Sequence, residues 1–325
     1  MSSAATFQQG IYRNSLVRRV ARWLDAIPHP PVAIEIASDR LAVARWSRAG
    51  SLDEFAIELL PPGAIVPSAV ETNLLNSFAV KSSITKACER VRTRDEDVAL
   101  ILPDPVIRVF VQHFEEFPRS SEEAIPLLRW KLKKSVPFEA DETIISYMRQ
   151  APRETGVDIV TALGRLRIIR EYEALAEGVG LYPGVVLSSS LAAISLLDDD
   201  RPALLARVSG SALTTAIVRS GVLCGYRCTE LPAAGAGLTP EMLLEEIFPV
   251  IAYYQDTWHQ GIASVRIAGL GTRLAEFARP LEQEFHCQVR SLLQSALSEG
   301  RIKDDVRQLA DRDLEGLVGW MLHGG

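Results

Sequence analysis

The chain has 325 residues, of which 47% are hydrophobic and 23% are charged, and its formal net charge is -6 at pH 7. This length is enough for two compact lobes, each with its own hydrophobic core. The acidic balance argues against a nucleic-acid-binding protein, which needs a basic surface to neutralise phosphates. The acidic overall charge is compatible only with a local basic patch.

Cysteine and histidine usage argues against a disulfide framework and against a metal site. The four cysteines are sparse, and the Cys224–Cys228 pair lies in a predicted strand with no histidine close to it in the sequence. We therefore expect reduced thiols at this pair. The five histidines are scattered, and none has the spacing of a metal-binding pair, so no metal site is predicted.

The N-terminal residues predict a lead segment and one amphipathic helix. Residues 1–14 lack the apolar core of a signal peptide, and no run approaches the ~20 apolar residues of a membrane span, so we expect a cytoplasmic protein. In residues 15–27, five apolar side chains share one helical face: Leu16, Val20, Trp23, Leu24 and Ile27. Two interpretations remain open. The helix packs on protein, or it lies on an anionic membrane surface through Arg18, Arg19, Arg22 and Trp23.

The first half of the chain predicts a β-meander followed by alternating strands and helices. The predicted strands span residues 32–37, 41–46, 54–59, 98–102, 106–114, 143–150, 157–163 and 185–187. The predicted helices span residues 77–92, 125–134, 165–178 and 191–197. A capping box, Ser120 with Glu123, leads into the second of these helices.

A charged junction over residues 198–202, which ends in a proline, predicts the boundary between two lobes. After it the pattern restarts. Strands are predicted over residues 203–208, 214–219, 221–229 and 264–268, and helices over 239–258 and 274–285. Thr239 caps the first of these helices, and Pro249 predicts a kink in it. The remaining tail is predicted to be helical and polar.

Both halves share one plan of a three-stranded meander, a helix, a strand and a helix. Such a repeat is typical of the ribonuclease-H-like lobe, and two lobes in tandem give the actin-like α/β architecture. The meander openings argue against a plain Rossmann domain. In actin-like folds, the turns between the first two strands of each lobe bind nucleotide phosphates through backbone N–H groups. In this chain those turns are residues 35–40 and 208–215.

Several motifs, in order and spacing, match one known family. The most specific is Leu-Arg-Trp-Lys-Leu-Lys-Lys-Ser-Val-Pro-Phe at 128–138, followed by the acidic residues Glu139, Asp141 and Glu142. Others are Leu-Pro-Asp-Pro at 102–105, Phe-Pro at 117–118, Gly-Val-Gly-Leu-Tyr-Pro at 178–183, and the strand and glycine turn at 265–274. Over about residues 31–295 the sequence resembles the PilM-type type IV pilus assembly proteins, relatives of the cell-division protein FtsA in the actin-like ATPase superfamily.

The resemblance implies an actin-like fold with an FtsA-like subdomain inserted in the first lobe. The expected divisions are an N-terminal lead and amphipathic helix at 1–30, lobe 1 at 31–97 and 152–199, the inserted subdomain at 98–151, and lobe 2 at 200–325.

The resemblance also implies a cytoplasmic scaffold peripheral to the inner membrane, in the platform of a type IV pilus or a related secretion system. Its expected partners are the cytoplasmic tail of a bitopic PilN-like protein and other pilus-platform proteins. We expect an apolar tail to bind in the groove between the first lobe and the insert, with Trp130, Val136 and Phe138 as candidate wall residues or, alternatively, as core of the insert. Lys131, Lys133 and Lys134 are most simply a solvated helix face, with lipid headgroups or an acidic partner as the alternative.

By resemblance only, ATP and Mg²⁺ are the implied ligands. The matching positions are Glu35, Ser38, Gly210, Thr214, Gly269 and Gly271. Three departures argue for a pseudo-ATPase: Ala37 replaces a glycine, Asp39 adds an anion beside the phosphates, and Val208 replaces a carboxylate. No catalytic residue is assigned. The alternative hypotheses are an active Mg-ATP-dependent switch and an FtsA-like membrane-associated filament former.

Overall fold

The computed structural model describes residues 30–46, 52–92, 97–139, 142–153, 155–197, 200–298, 306, 309 and 312–322. The predicted N-terminal helix, with Arg18, Arg19, Arg22 and Trp23, lies outside these residues.

The strands are β1 Val32–Ile36, β2 Arg40–Trp46, β3 Leu52–Leu59, β4 Asp97–Leu102, β5 Arg108–Phe114, β6 Thr143–Pro152, β7 Val157–Arg165, β8 Tyr182–Ser188, β9 Ala203–Ser209, β10 Ala212–Arg219, β11 Val222–Glu230, β12 Ser264–Ala268 and β13 Gln288–Ser291. The helices are α1 Ser77–Val91, α2 Ser121–Leu132, α3 Leu166–Glu177, α4 Ser189–Ala193, α5 Pro240–Trp258, α6 Leu274–Phe285, α7 Leu292–Ser298 and α8 Glu315–Leu322. None of these helices is long and apolar enough to cross a membrane.

Two five-stranded sheets repeat one topology. Their strand orders are β3-β2-β1-β4-β8 and β11-β10-β9-β12-β13. In each sheet the first three strands form an antiparallel meander, and the last two run parallel to its first strand. The two sheets confirm the repeated plan that the sequence predicts, and each one is the centre of a lobe.

Helices cover the sheets where the sequence places apolar stripes. In lobe 1, α1 packs on β2 and β3, and α3 packs on β8. In lobe 2, α5 and α6 supply Leu243, Ile247, Phe277 and Leu281 to the core. The side chains of Ser120 and Thr239 accept backbone N–H bonds at the starts of α2 and α5, so both predicted caps are confirmed.

The inserted subdomain is a three-stranded antiparallel sheet, β5-β7-β6, with α2 packed on it. The predicted limits of 98–151 are wrong at both ends. Residues 97–102 form a buried central strand of the lobe 1 sheet, and residues 157–165 pair with both β5 and β6. The uniformly apolar 98–102 run is typical of a central parallel strand, which explains its place in lobe 1.

The insert also contacts lobe 2. The side-chain amide of Gln150 donates to the carbonyl of Leu223 and accepts from its N–H, both at 2.8 Å, as a neighbouring strand would. The guanidinium of Arg153 lies 3.7 Å from the ring centre of Trp258, at the end of α5. The insert therefore bridges the two lobes.

The described end of the tail is not polar, and it does not belong to lobe 2. Helix α8 is buried along seven of its eight residues, and Trp320 is only 1% exposed. It packs on α4 and on β1 of lobe 1. Two glycines allow this close approach: a Cβ on Gly316 would lie 2.5 Å from the Ser189 hydroxyl, and one on Gly319 would lie 2.2 Å from the Ala192 carbonyl.

Replacement of Gly319 by alanine is expected to lower the free energy of unfolding by about 3 kcal/mol, because the added methyl group meets backbone that cannot yield easily. Urea unfolding monitored by circular dichroism measures this change. The control is Gly225→Ala in β11, where a Cβ meets nothing within 4 Å and little change is expected. Equal effects of the two substitutions would contradict the close docking of α8.

Candidate functional site

A buried arginine with three carboxylates joins the lobes. Arg207 comes from β9, Glu35 from β1, Asp104 from the turn after β4, and Glu315 from the start of α8, and all four are at most 4% exposed. The guanidinium nitrogens lie 3.3 Å from Glu35 Oε1, 3.4 Å from Asp104 Oδ2 and 3.5 Å from Glu315 Oε2. We call these four residues the arginine cluster.

Asp104 is held by groups from both lobes. It follows the last strand residue Leu102 between two prolines, which aim its side chain at lobe 2. From lobe 1, the backbone N–H and the hydroxyl of Ser190 donate to it at 2.8 and 2.5 Å. From lobe 2, the hydroxyl of Thr214 donates at 3.0 Å and that of Tyr226 at 3.4 Å. Its oxygens are therefore fully engaged within the protein.

Glu35 is also satisfied internally. The backbone N–H of Leu317 donates to it at 2.6 Å, and the hydroxyl of Ser189 is a second donor. Burial raises the pKa of Glu35 from 4.5 to about 7, and the Arg207 guanidinium opposes this shift. Glu35 therefore keeps its proton to a higher pH than an exposed glutamate does.

The arginine cluster opposes one guanidinium to three carboxyl groups. Burial acts to lower the pKa of Arg207, but Asp104, Glu315 and Glu35 outweigh it, so this pKa is raised and the guanidinium stays charged. Burial also raises the pKa of Glu315. The three carboxyl groups share the one guanidinium, and hydrogen-bond donors from the protein satisfy oxygens of Glu35 and Asp104.

The two predicted phosphate turns lie against each other. Gly210 turns the chain between β9 and β10 with φ of 59°, and a Cβ on it would lie 3.7 Å from the hydroxyl of Ser38, in the turn between β1 and β2. On the lobe 1 turn, Asp39 pairs with Arg40 at 2.8 Å, and Arg40 reaches Asp313 at 3.5 Å.

A cavity of about 770 Å³ lies beside these turns, on lobe 2. Gly269 and Gly271 line it, as do Asp313 and Glu315. Gly269 has φ of 80°, and a Cβ there would lie 1.7 Å from the carbonyl oxygen of Val208, so only glycine fits this turn.

Most of the predicted nucleotide residues come together at this centre, but they do not fit a magnesium triphosphate. Glu35 and Thr214 are bound within the arginine cluster, and Ser38 and Gly210 face each other with no room for phosphate between them. The carboxylates of Asp313 and Glu315 face the cavity and would repel an anion. Of the predicted nucleotide-binding residues, Gly269 and Gly271 are the two that line the cavity of about 770 Å³.

Sequence reasoning missed three members of the arginine cluster: Arg207, Asp104 and Glu315. Arg207 interrupts an otherwise apolar strand over residues 203–208, and that exception was the available signal, since a charge at such a position needs a partner. The Leu-Pro-Asp-Pro segment at 102–105 was noted as a family motif, without a role for the Asp104 side chain. Glu315 lies in the tail that was predicted to be polar.

A second, apolar cavity of about 260 Å³ lies between the insert and lobe 1. The insert contributes Ile144 and Ser146 of β6 with Ala162 of β7, and lobe 1 contributes β8 from Pro183 to Leu187. Both β6 and β8 are edge strands of their sheets. We call this cavity the insert groove.

The three predicted wall residues do not line the insert groove. Trp130 is 75% exposed on α2, and Val136 and Phe138 are half-buried in the turns that follow it. Helix α2 packs on the Ile145 and Tyr147 side of the insert sheet, which is opposite to the groove. Their role in partner binding stays a prediction.

No protein-family model and no curated protein sequence matches the chain. Among solved structures, a PilM-PilN type IV pilus biogenesis complex is similar with a TM-score of 0.72 and 16% identity, over 91% of this chain and 99% of that one. The chain has a PilM-like, actin-like fold. The ethanolamine utilization protein EutJ from Carboxydothermus hydrogenoformans is similar with a TM-score of 0.50 and 9% identity, over 95% and 99% of the two chains. A Bacteroides thetaiotaomicron protein with an actin-like ATPase fold has a TM-score of 0.47 and 11% identity, over 84% and 97%.

Stability is expected to fall as the pH rises through 7, because Glu35 holds its proton more tightly folded than unfolded. Its contribution is complete below pH 4.5 and is lost above about pH 7, which amounts to about 2 kcal/mol between pH 5.5 and 8. Glu35→Gln removes this titration, so its unfolding free energy should decline by about 2 kcal/mol less than that of the wild type over this interval. Urea unfolding at both pH values measures the difference, with the exposed Glu245→Gln as control. Parallel pH dependences of wild type and Glu35→Gln would refute it.

Proposed function

We propose that this chain is a scaffold of the inner-membrane platform of a type IV pilus or a related secretion system. It acts at the cytoplasmic face by holding the short tail of a bitopic, PilN-like membrane protein. The observation that carries the proposal is the similarity of fold over 91% of the chain to a PilM-PilN complex. The insert groove supplies a place for the tail.

The insert groove has the chemistry of a peptide-binding site. Its lining is mainly aliphatic and includes Ile107, Ile169 and Val185, and among the described residues that line it Glu173 is the one acidic group. Edge strands β6 and β8 border it, so an extended segment finds free backbone donors and acceptors as well as apolar contact. Main-chain bonds of this kind give affinity, and the apolar lining selects the side chains of the tail.

We further propose that the nucleotide site is degenerate. The support is the arginine cluster, in which the Arg207 guanidinium pairs with Glu35, Asp104 and Glu315 and occupies the space between these carboxyl groups. The contact between Ser38 and Gly210 adds a steric argument. The protein therefore acts by binding and not by phosphoryl transfer.

Ile144→Asp is expected to weaken binding of the tail at least tenfold, because a charge replaces an apolar side chain in the insert groove. The measurement is calorimetry with a synthetic peptide of the cytoplasmic tail of the host's PilN-like protein. Val66→Asp is the matched control, since Val66 has the same 48% exposure as Ile144 but does not line the groove. Equal affinities of the two variants would place the tail elsewhere.

Calorimetry with Mg²⁺ and millimolar ATP is expected to show no binding to the wild-type protein. The reason is that the positive charge of Arg207 is already paired with carboxylates of the protein, and the turns of Ser38 and Gly210 leave no space for a triphosphate between them. The titration is repeated with Glu35→Ala. Micromolar binding that this variant abolishes would overturn the degenerate site in favour of an ATP-dependent switch.

A further inference from the structure

Helix α2 carries an exposed tryptophan on the face that points away from its own core. The buried residues of this helix are Ala124, Leu128 and Leu132, which follow the four-residue spacing of one face. Trp130 is two residues, or about 200°, from Leu128. Its side chain is 75% exposed, so it contributes little to the packing of the insert.

Two lysines follow this tryptophan at the end of the helix. Lys133 is the capping residue of α2 and Lys134 lies in the turn that continues from it, three and four residues after Trp130. Both are exposed, and neither pairs with a carboxylate of the described residues. Lys131 differs, because its ammonium group lies 3.7 Å from the Phe114 ring centre and donates to the His113 carbonyl.

The acidic residues of this region lie apart from the lysines or are paired. Glu122 and Glu123 are exposed in the first turn of α2, Glu142 is bound to Arg165 at 2.7 Å, and Glu139 is exposed beyond the turn that contains Phe138. The basic groups are thus concentrated at the C-terminal end of α2, in a protein whose formal net charge is -6. This is the local basic patch that the overall balance left open.

A tryptophan beside lysines suits the surface of an anionic bilayer. The indole ring partitions to the headgroup level, and each ammonium group gains attraction from anionic lipids. We propose that the C-terminal end of α2, formed by Trp130, Lys133 and Lys134, docks on anionic phospholipid headgroups. Val136 and Phe138, half-buried after the helix, extend its apolar part.

The position of α2 suits this role beside the insert groove, a step that rests on the proposed function. The guanidinium of Arg129 donates to the carbonyl of Thr143 at 3.4 Å, which ties the end of α2 to the start of β6. The next residue, Ile144, lines the groove. A tail that leaves the groove at this end would bring its membrane segment, and with it the bilayer, close to α2.

The test is flotation of the full chain with vesicles of phosphatidylcholine, with and without phosphatidylglycerol. Because residues 18–22 are a second basic segment, all variants are made in an Arg18→Glu, Arg19→Glu, Arg22→Glu background. In that background we expect binding to the anionic vesicles only. Trp130→Ser combined with Lys133→Glu and Lys134→Glu should reduce this binding at least tenfold. The charge-matched control, Lys81→Glu with Lys86→Glu on α1, should retain most of the binding to anionic vesicles.

Three results would overturn the proposal: no binding to anionic vesicles in this background, equal binding to neutral vesicles, or equal losses from the α2 variant and the α1 control. The same α2 variant is also titrated with the tail peptide in solution. Unchanged peptide affinity with lost vesicle binding supports the lipid surface. Lost peptide affinity with intact vesicle binding would assign this end of α2 to a protein partner instead.

Discussion

The charge of Arg207 is the constraint on which the arrangement of the lobes depends. A guanidinium that is 2% exposed cannot give up its proton, so the fold must surround it with counter-charges. Those charges come from β1, from the turn after β4 and from the start of α8. A buried ion pair adds little net stability, but loss of one member leaves an uncompensated charge. The arginine cluster therefore specifies how lobe 1, lobe 2 and the last helix fit together.

The insert fastens the lobes at a second point. Gln150 and Arg153 bind lobe 2 at Leu223 and Trp258, well away from the arginine cluster in sequence. Two separate attachments oppose a hinge motion of the kind that actin-like enzymes use around nucleotide. The insert groove lies beside parts that are held in this way, so it is largely preformed, and the tail that we propose for it would lose less free energy to ordering.

The repeated meanders could be predicted from the sequence because apolar alternation is local, and the strands of both sheets lie where it placed them except β13, for which no strand was predicted. The turns of Ser38 and Gly210 were also placed correctly. Arg207, Asp104 and Glu315 were not, because their pairing joins residues more than 100 positions apart, which no local pattern encodes. The docking of α8 was missed for a related reason. Gly316 and Gly319 lower the helix propensity of this segment, and the close packing that they allow is with Ser189 and Ala192, which are distant in the sequence.

The place of α8 has a consequence for the synthesis of the protein. Lobe 1 is discontinuous along the chain, since its sheet is complete by β8 while part of its core lies at residues 315–322. While the ribosome makes lobe 2, the face of β1 that receives Trp320 is uncovered, and Glu35 lacks the Leu317 donor. Lobe 1 must therefore persist in an incomplete form until more than 100 further residues have been translated, and in this interval it exposes apolar surface that is normally covered by α8.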